Sequence, residues 1–260
     1  MRPVRIHIGG PPRSGTTLML TLIATCFKVD GAVRNETHLW RTVPKGEAIV
    51  CTKYPGDETL APLVLGWDSK LWWLYLMRDP RDVVVSIHGG APDQYWSNLR
   101  AWRESVEAAR KVLSHPRFVV VRYEDLAKDP DDVQNKLVAR MPFLEKTLPF
   151  SRYHEAANLD RFAEAAMRGL RPITGETVGA WREHKPRLAA QLAQHGDIAD
   201  LLIAFGYERD REWLKELSGV EPEATQSRVP DRVPFGKALR RRLRRPLHAA
   251  EYLARRAFGG

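Results

Sequence analysis

Gly10-Pro11-Pro12-Arg13-Ser14-Gly15-Thr16-Thr17 stands between Val4–Ile8, a short β-rich run, and Thr16–Cys26, which reads as a helix. A glycine-rich turn from strand to helix points backbone N–H groups into its own concavity. The helix N-terminus adds positive potential there, so such a turn binds phosphate-like oxyanions. The spacing is that of G-x-x-x-x-G-K-[ST], with Thr16 where the lysine belongs and a cation inside the loop, Arg13. A nucleoside-triphosphate enzyme needs that lysine and an acidic Mg²⁺ ligand at a strand end. Thr16 supplies neither, which leaves a P-loop nucleotide kinase as the alternative reading only.

Working outward, Ala48–Thr52, Leu71–Met77 and Phe118–Arg122 are further short apolar runs suited to strands buried on both faces. Between them, Trp96–Leu113 places Trp96, Leu99, Trp102, Val106 and Ala109 at helical steps, and Asp131–Arg140 reads as another helix. From Asn158 to Leu217 the pattern is helical, with an apolar patch at Ile198–Phe205. The expected fold is therefore α/β, a mainly parallel sheet flanked by helices, followed by a helical C-terminal part. We expect a catalytic domain over 1–217, a linker over 218–234 rich in Gly, Pro, Glu, Ser and Thr, and a tail over 235–260.

Two more segments leave strand ends. Arg78-Asp79-Pro80-Arg81-Asp82 follows the third apolar run; Asp79 suits an N-cap and Pro80 the first helical position. Ligands of parallel sheets bind at the carboxyl ends of strands, so Arg78 points towards the site and Ser86, two turns on, is placed to donate to the same anion. Tyr123-Glu124-Asp125 ends the fourth run, and Tyr123 is placed to stack on a base or bond it. Taken singly, each has a plainer reading: Arg78 and Arg81 as surface partners of Asp79 and Asp82, Tyr123 as a core tyrosine.

Together these segments resemble the sulfotransferases that use 3′-phosphoadenosine 5′-phosphosulfate. P-[KR]-S-G-T-T matches Pro12–Thr17, R-(x)7-S matches Arg78 to Ser86, and Y-E-D-(x)n-D-P matches Tyr123 to Pro130. The resemblance implies a P-loop-like fold in which Arg13, Ser14, Gly15, Thr16 and Thr17 hold the 5′-phosphosulfate. Arg78 and Ser86 would take the 3′-phosphate, and Tyr123 the adenine. It also implies in-line transfer to an acceptor hydroxyl, with Arg13 and Lys53 as cations on the leaving phosphate. Glu36 would be the general base and His38 the second candidate, both in the segment Asn35-Glu36-Thr37-His38. Taken by itself, Lys53 reads equally as a solvated loop lysine. Nothing in the pattern calls for a metal.

The match weakens late in the chain. Of R-K-G-x-x-G-x-W, Gly179-Ala180-Trp181 fits, but Thr174-Gly175-Glu176 replaces Arg-Lys-Gly, with Arg182 and Lys185 as candidate substitutes. This departure leans towards the protein-tyrosine and carbohydrate branches, or bacterial relatives. The acceptor itself is left open, because one sequence does not decode specificity loops.

Charge and cysteines bound the rest. The chain of 260 residues carries a net +9, of which Gly236–Gly260 supplies +7, with eight basic residues against Glu251 alone. The remainder is near neutral and needs no nucleic-acid partner. Leu239, Leu243, Leu247, Ala250, Leu253 and Ala254 recur among those arginines, which fits a basic amphipathic segment lying on an anionic membrane as well as a solvated, disordered end. The alternative reading makes the tail a membrane-surface module and the domain its platform. Pro246 should kink or split a helix there. On this reading a chain ending at Val233 keeps full activity on a soluble acceptor. Cys26 and Cys51 form no C-x-x-C, and Leu18–Phe27 is too short to span a bilayer, so a cytoplasmic protein, peripheral to the membrane at most, is expected.

Overall fold

Ile6 and Ile8 point to one side of the first strand and Arg5 and His7 to the other, yet all four are buried, which places that strand in the middle of a covered sheet. The computed structural model describes residues 3–33, 35–41, 48–223 and 225–258. Along the chain these form β1 (Val4–Gly9), α1 (Thr16–Cys26), β2 (Gly31–Ala32), β3 (Ile49–Lys53), α2 (Ala61–Val64), β4 (Leu71–Met77) and α3 (Pro80–Val84). There follow β5 (Ile87–His88), β6 (Ala91–Tyr95), α4 (Leu99–Arg110), β7 (Phe118–Arg122), α5 (Tyr123–Lys128) and α6 (Pro130–Arg140). The helical remainder is α7 (Arg161–Met167), α8 (Lys185–His195), α9 (Ala199–Ala204) and α10 (Phe235–Phe258), with short 3₁₀ turns between.

Five strands pair in the order β2-β3-β1-β4-β7, every pairing parallel. The chain goes from β1 to β3 on one side, then crosses to β4 on the other. The carboxyl ends of β1 and β4 therefore flank the point where strand order reverses, and ligand sites of such sheets form there. One face is covered by α1 and α6, with Ile6, Ile8, Met19, Ile23, Leu76 and Leu137 in contact. On the opposite face Trp73, Tyr75 and Phe118 pack with Ala249 and Tyr252 of α10.

The parallel α/β architecture is as expected, and several local expectations are corrected. The fourth helix begins at Leu99 behind an Asn98 cap, so Trp96 lies outside it, stacked on His88. β5 and β6 form an antiparallel hairpin that the sequence reading passed over, since Pro92, Asp93 and Gln94 are poor strand formers. Asp79 caps α3 and Pro80 opens it, but the helix ends at Val84, so Ser86 sits in the turn beyond rather than two turns along. Residues 225–231 lie against α4 and α8: Asn98 Nδ2 donates to the Val229 carbonyl at 2.7 Å and Arg187 to the Thr225 carbonyl at 2.6 Å.

The C-terminal segment differs most from a split helix or a disordered end. It is one helical span with Pro246 inside it, and its last turns are part of the core. Tyr252 donates to Asp68 at 2.6 Å, Arg256 bonds Asp68 at 2.7 Å and the Pro3 carbonyl at 2.8 Å, and His248 stacks on Trp40. A chain ending at Val233 would lack this cover for one sheet face. No helix among the described residues is long and apolar enough to cross a membrane.

Candidate active site

The loop after β1 takes its shape from two glycines and a buried carboxylate. A Cβ on Gly10, whose φ is +141°, would lie 2.3 Å from the Leu76 carbonyl oxygen, so only glycine passes under β4 there. Glu58, fully buried, accepts from Gly10 N at 3.3 Å and Gly56 N at 3.0 Å, tying the loop to the turn after β3. Gly15, at φ +96°, turns the chain into α1 with no side-chain cap and no acidic residue in the first turn. The N–H groups of that turn are left for an anion, with the helix dipole behind them. The Ser14 hydroxyl is buried without a partner among the described residues.

Arg78 leaves β4 next to this loop. It donates to the carbonyls of Arg13 at 3.1 Å and Thr177 at 2.7 Å, its Nε is buried with no partner among the described residues, and it lies 4.3 Å over the Tyr123 ring. The Tyr123 hydroxyl bonds Thr177 Oγ1 at 2.9 Å, and its ring edge faces Gly15 so closely that a Cβ there would come within 2.8 Å. Arg13 reaches Ser86 Oγ at 3.1 Å and the carbonyls of Ala166 and Ile87 at 3.2 and 3.1 Å. Burial, aided by the charges of Arg78 and Arg168, lowers the Arg13 pKa to about 10, where it remains a cation at neutral pH. These residues line a cavity of about 450 Å³.

The same region corrects three sequence readings. Arg81 is no surface residue: it is buried, chelates Asp79 and Glu208, and packs on Trp181 and Trp213. Asp82 accepts from Gly179 N and Trp181 N at 2.8 and 3.1 Å, so it positions the Gly179-Ala180-Trp181 turn. Arg182 and Lys185 turn away to pair with Glu216, whereas Arg168 and Arg171 line the cavity. Sequence reasoning missed both because they precede the motif position where cations were sought.

On the other side of the loop, Lys53 at the end of β3 donates to Thr17 Oγ1 and to Glu36 Oε1, both at 3.1 Å. Its side chain is 6% exposed and that of Glu36 54%, so the lysine is no solvated loop residue and the carboxylate opens to the space in front of it. Glu36, Lys53, Tyr54, His88, Trp96 and Phe162 line a second cavity of about 520 Å³. His38 takes another path. Its Nδ1 lies 2.8 Å from Asp57, and its ring is sandwiched between Tyr54 and Trp40, lining neither cavity. His88, which sequence reasoning also missed, accepts from Gly90 N at its Nδ1, so the neutral ring carries its proton on Nε2. Burial first, then Arg13 and Lys53, lowers its pKa and keeps that neutral form. Its Nε2 is therefore a donor, not a base.

The two cavities meet at the loop, sharing Arg13, Thr16, Thr17 and Ala166. One side offers cations and an aromatic ring to an anionic ligand, the other a carboxylate beside a buried ammonium. The arrangement suits transfer of an anionic group across the loop. No group of three or more His, Cys, Asp or Glu is placed to hold a metal ion among the described residues.

Known proteins with similar sequences and folds bear on this geometry. The family model described as a sulfotransferase domain matches residues 3–184. Sulfotransferase 2B1 of Mus musculus is 25% identical over 151 residues, which is 45% of this chain and 44% of that protein. The Homo sapiens sulfotransferase 2B1 is 25% identical over 148 residues, 45% of this chain and 40% of its own length. The match thus spans under half of these curated relatives. The solved sulfotransferase domain from the curacin biosynthetic pathway superposes with a TM-score of 0.50 at 16% identity, over 69% of this chain and 90% of that one, a likeness of fold.

Proposed function

This chain belongs to the sulfotransferase domain family, and from that premise we propose that it moves a sulfuryl group from 3′-phosphoadenosine 5′-phosphosulfate to an acceptor hydroxyl. The observation that carries the reading is the junction of the two cavities at Arg13, Thr16 and Thr17. The residues fit the donor: an uncapped helix N-terminus behind the loop, the unpartnered Ser14 hydroxyl, and Arg78 with an unpartnered Nε above Tyr123.

In this proposal the N–H groups of Gly15, Thr16 and Thr17, with Ser14, hold the 5′-phosphosulfate. Arg78, Ser86 and the cavity cations Arg168 and Arg171 receive the 3′-phosphate, and Tyr123 packs on the adenine. When bound, the donor supplies the sulfuryl group, and adenosine 3′,5′-bisphosphate is what leaves. Glu36 takes the acceptor's hydroxyl proton, and Lys53, held against Thr17, places its charge beside the loop where negative charge accumulates on the leaving phosphate. Arg13 adds a second cation from within the loop. As in phosphoryl transfer, the protein's contribution is positioning and charge compensation. Tyr54, Trp96 and Phe162 in the second cavity suit a hydroxyl carried on an apolar or aromatic body.

The test is ligand protection against thermal unfolding. Adenosine 3′,5′-bisphosphate should raise the melting temperature of the protein more than AMP does. Arg78→Ala should weaken bisphosphate binding by on the order of 1.5–3 kcal/mol while affecting AMP far less. Equal losses for the two ligands would refute the 3′-phosphate assignment, and protection by ATP·Mg²⁺ alone would return the chain to the kinase reading.

A further inference from the structure

The first turns of α10 carry an apolar ridge that the protein does not cover. Phe235 is 81% exposed, Leu239 42%, Leu243 65% and Leu247 66%. Steps of four residues advance about 40° round a helix, so these side chains form one band about 120° wide. Ala249, Tyr252 and Arg256 turn into the core from the other side of the same helix. The docked end thereby fixes which way the ridge faces: outward. Arg240 and Arg242 border this band, while Lys237, Arg241, Arg244 and Arg245 lie on the polar side away from it; none of the six pairs with a carboxylate among the described residues.

The order of these side chains around the helix selects the occupant. A helix that reads nucleic acid turns its cations to the phosphates, whereas here the outward face is Phe and Leu, with Arg240 and Arg242 at its edges and the other cations behind. That is the layout of a helix lying in a lipid interface, apolar side down and cations at headgroup level. The side of the helix away from the ridge approaches the catalytic cavity. His248 stacks on Trp40, in the segment that carries Glu36 into the cavity it shares with Tyr54.

We propose that the ridge Phe235–Leu247 seats this protein on an anionic lipid bilayer. The leucines and Phe235 enter the acyl boundary, and Arg240 and Arg242 at the edges of the ridge meet lipid phosphates. The inference does not depend on which group the enzyme transfers.

Sedimentation of the full-length protein with vesicles tests it. The protein should pellet with phosphatidylcholine–phosphatidylglycerol vesicles at low salt, stay in the supernatant with phosphatidylcholine alone, and release as salt is raised. Leu243→Glu with Leu247→Glu should weaken that binding at least tenfold, and so should Arg240→Gln with Arg242→Gln. Because these side chains are exposed in the free protein, both variants should keep the parent melting temperature, which separates lost docking from lost folding. No pelleting of the folded protein at low salt would overturn the proposal. So would leucine variants that bind as well as the parent, since charge alone would then explain adsorption. Tighter binding to duplex DNA than to vesicles, indifferent to the leucines, would assign the helix to nucleic acid instead.

Discussion

Glu36 and Thr17 are both within 3.1 Å of one ammonium, that of Lys53, so a single buried side chain ties the proposed proton acceptor to the phosphate loop. His38, two residues further, is anchored differently: Asp57 receives its Nδ1–H and two aromatic rings enclose it. An Asp-oriented imidazole has the tautomer that a base needs, but this one lines neither cavity. Glu36→Gln keeps shape and removes the proton acceptor, so kcat should fall by roughly 10²–10⁴ with bisphosphate affinity retained. His38→Ala should instead cost stability, on the order of 1–3 kcal/mol for the lost bond to a buried carboxylate, and leave much of kcat at temperatures well below melting. Turnover surviving in the glutamine variant and vanishing in the alanine variant would reverse the two roles.

Between elements, His7 of β1, Thr52 of β3, Asp57 and His38 form a buried polar bridge. The His7 Nδ1 lies 2.8 Å from Thr52 Oγ1 and its Nε2 lies 3.3 Å from Asp57, with Arg5 also donating to Thr52 at 3.1 Å. Thr52 donating to Nδ1 leaves the proton on Nε2, facing the carboxylate. Burial outweighs the pull of Asp57 and lowers the His7 pKa below the ordinary imidazole value, with Arg5 and His38 adding to that direction. The unfolded chain therefore takes up this proton first as pH falls below about 6.5, and stability is lost in that direction. Asp57 is held below its usual range, so its contribution is present above about pH 3.9 and fades further into acid. Urea midpoints measured from pH 7 to pH 5 should thus decline, at up to about 1.4 kcal/mol per pH unit for one histidine. In His7→Gln the decline should be shallower, with the other histidines common to both proteins; an unchanged slope would show that His7 already carries its proton in the fold.

On the scale of the whole molecule, α10 is part of the domain. Its last turns cover Trp73, Tyr75 and Phe118 with Ala249 and Tyr252, and Asp68 receives both Tyr252 and Arg256. Removing a buried aromatic side chain alone costs roughly 3–5 kcal/mol, and whole domains are stable by only about 5–15 kcal/mol. A chain ending at Val233 should therefore melt at least 10 °C lower or fail to stay in solution, as differential scanning calorimetry of the two proteins would show. An unchanged melting temperature would mean that the helix adds nothing to the fold.

How much of this was legible in the residues follows from the range of the forces. The strands Val4–Gly9, Leu71–Met77 and Phe118–Arg122, the helix Thr16–Cys26, the Asp79 cap and the turn between Gly10 and Gly15 rest on local chemistry. Apolar runs, a cap and glycine φ angles are written within a few residues of where they act, so the parallel fold and the loop could be read directly. Thr17, Glu36 and Lys53 were nameable through the resemblance of the surrounding motifs to the sulfotransferases. Their meeting on one ammonium, and the departure of His38 to Asp57, needed partners brought together from distant positions in the chain. The same holds for Arg168 and Arg171, which enter the cavity, while Arg182 and Lys185, nearer the expected motif, leave it for Glu216. The amphipathic C-terminal pattern was visible too, but not which face would be buried. That was decided by Asp68, Trp40 and a sheet face needing cover, because burial is a property of what packs against a residue and not of the residue itself.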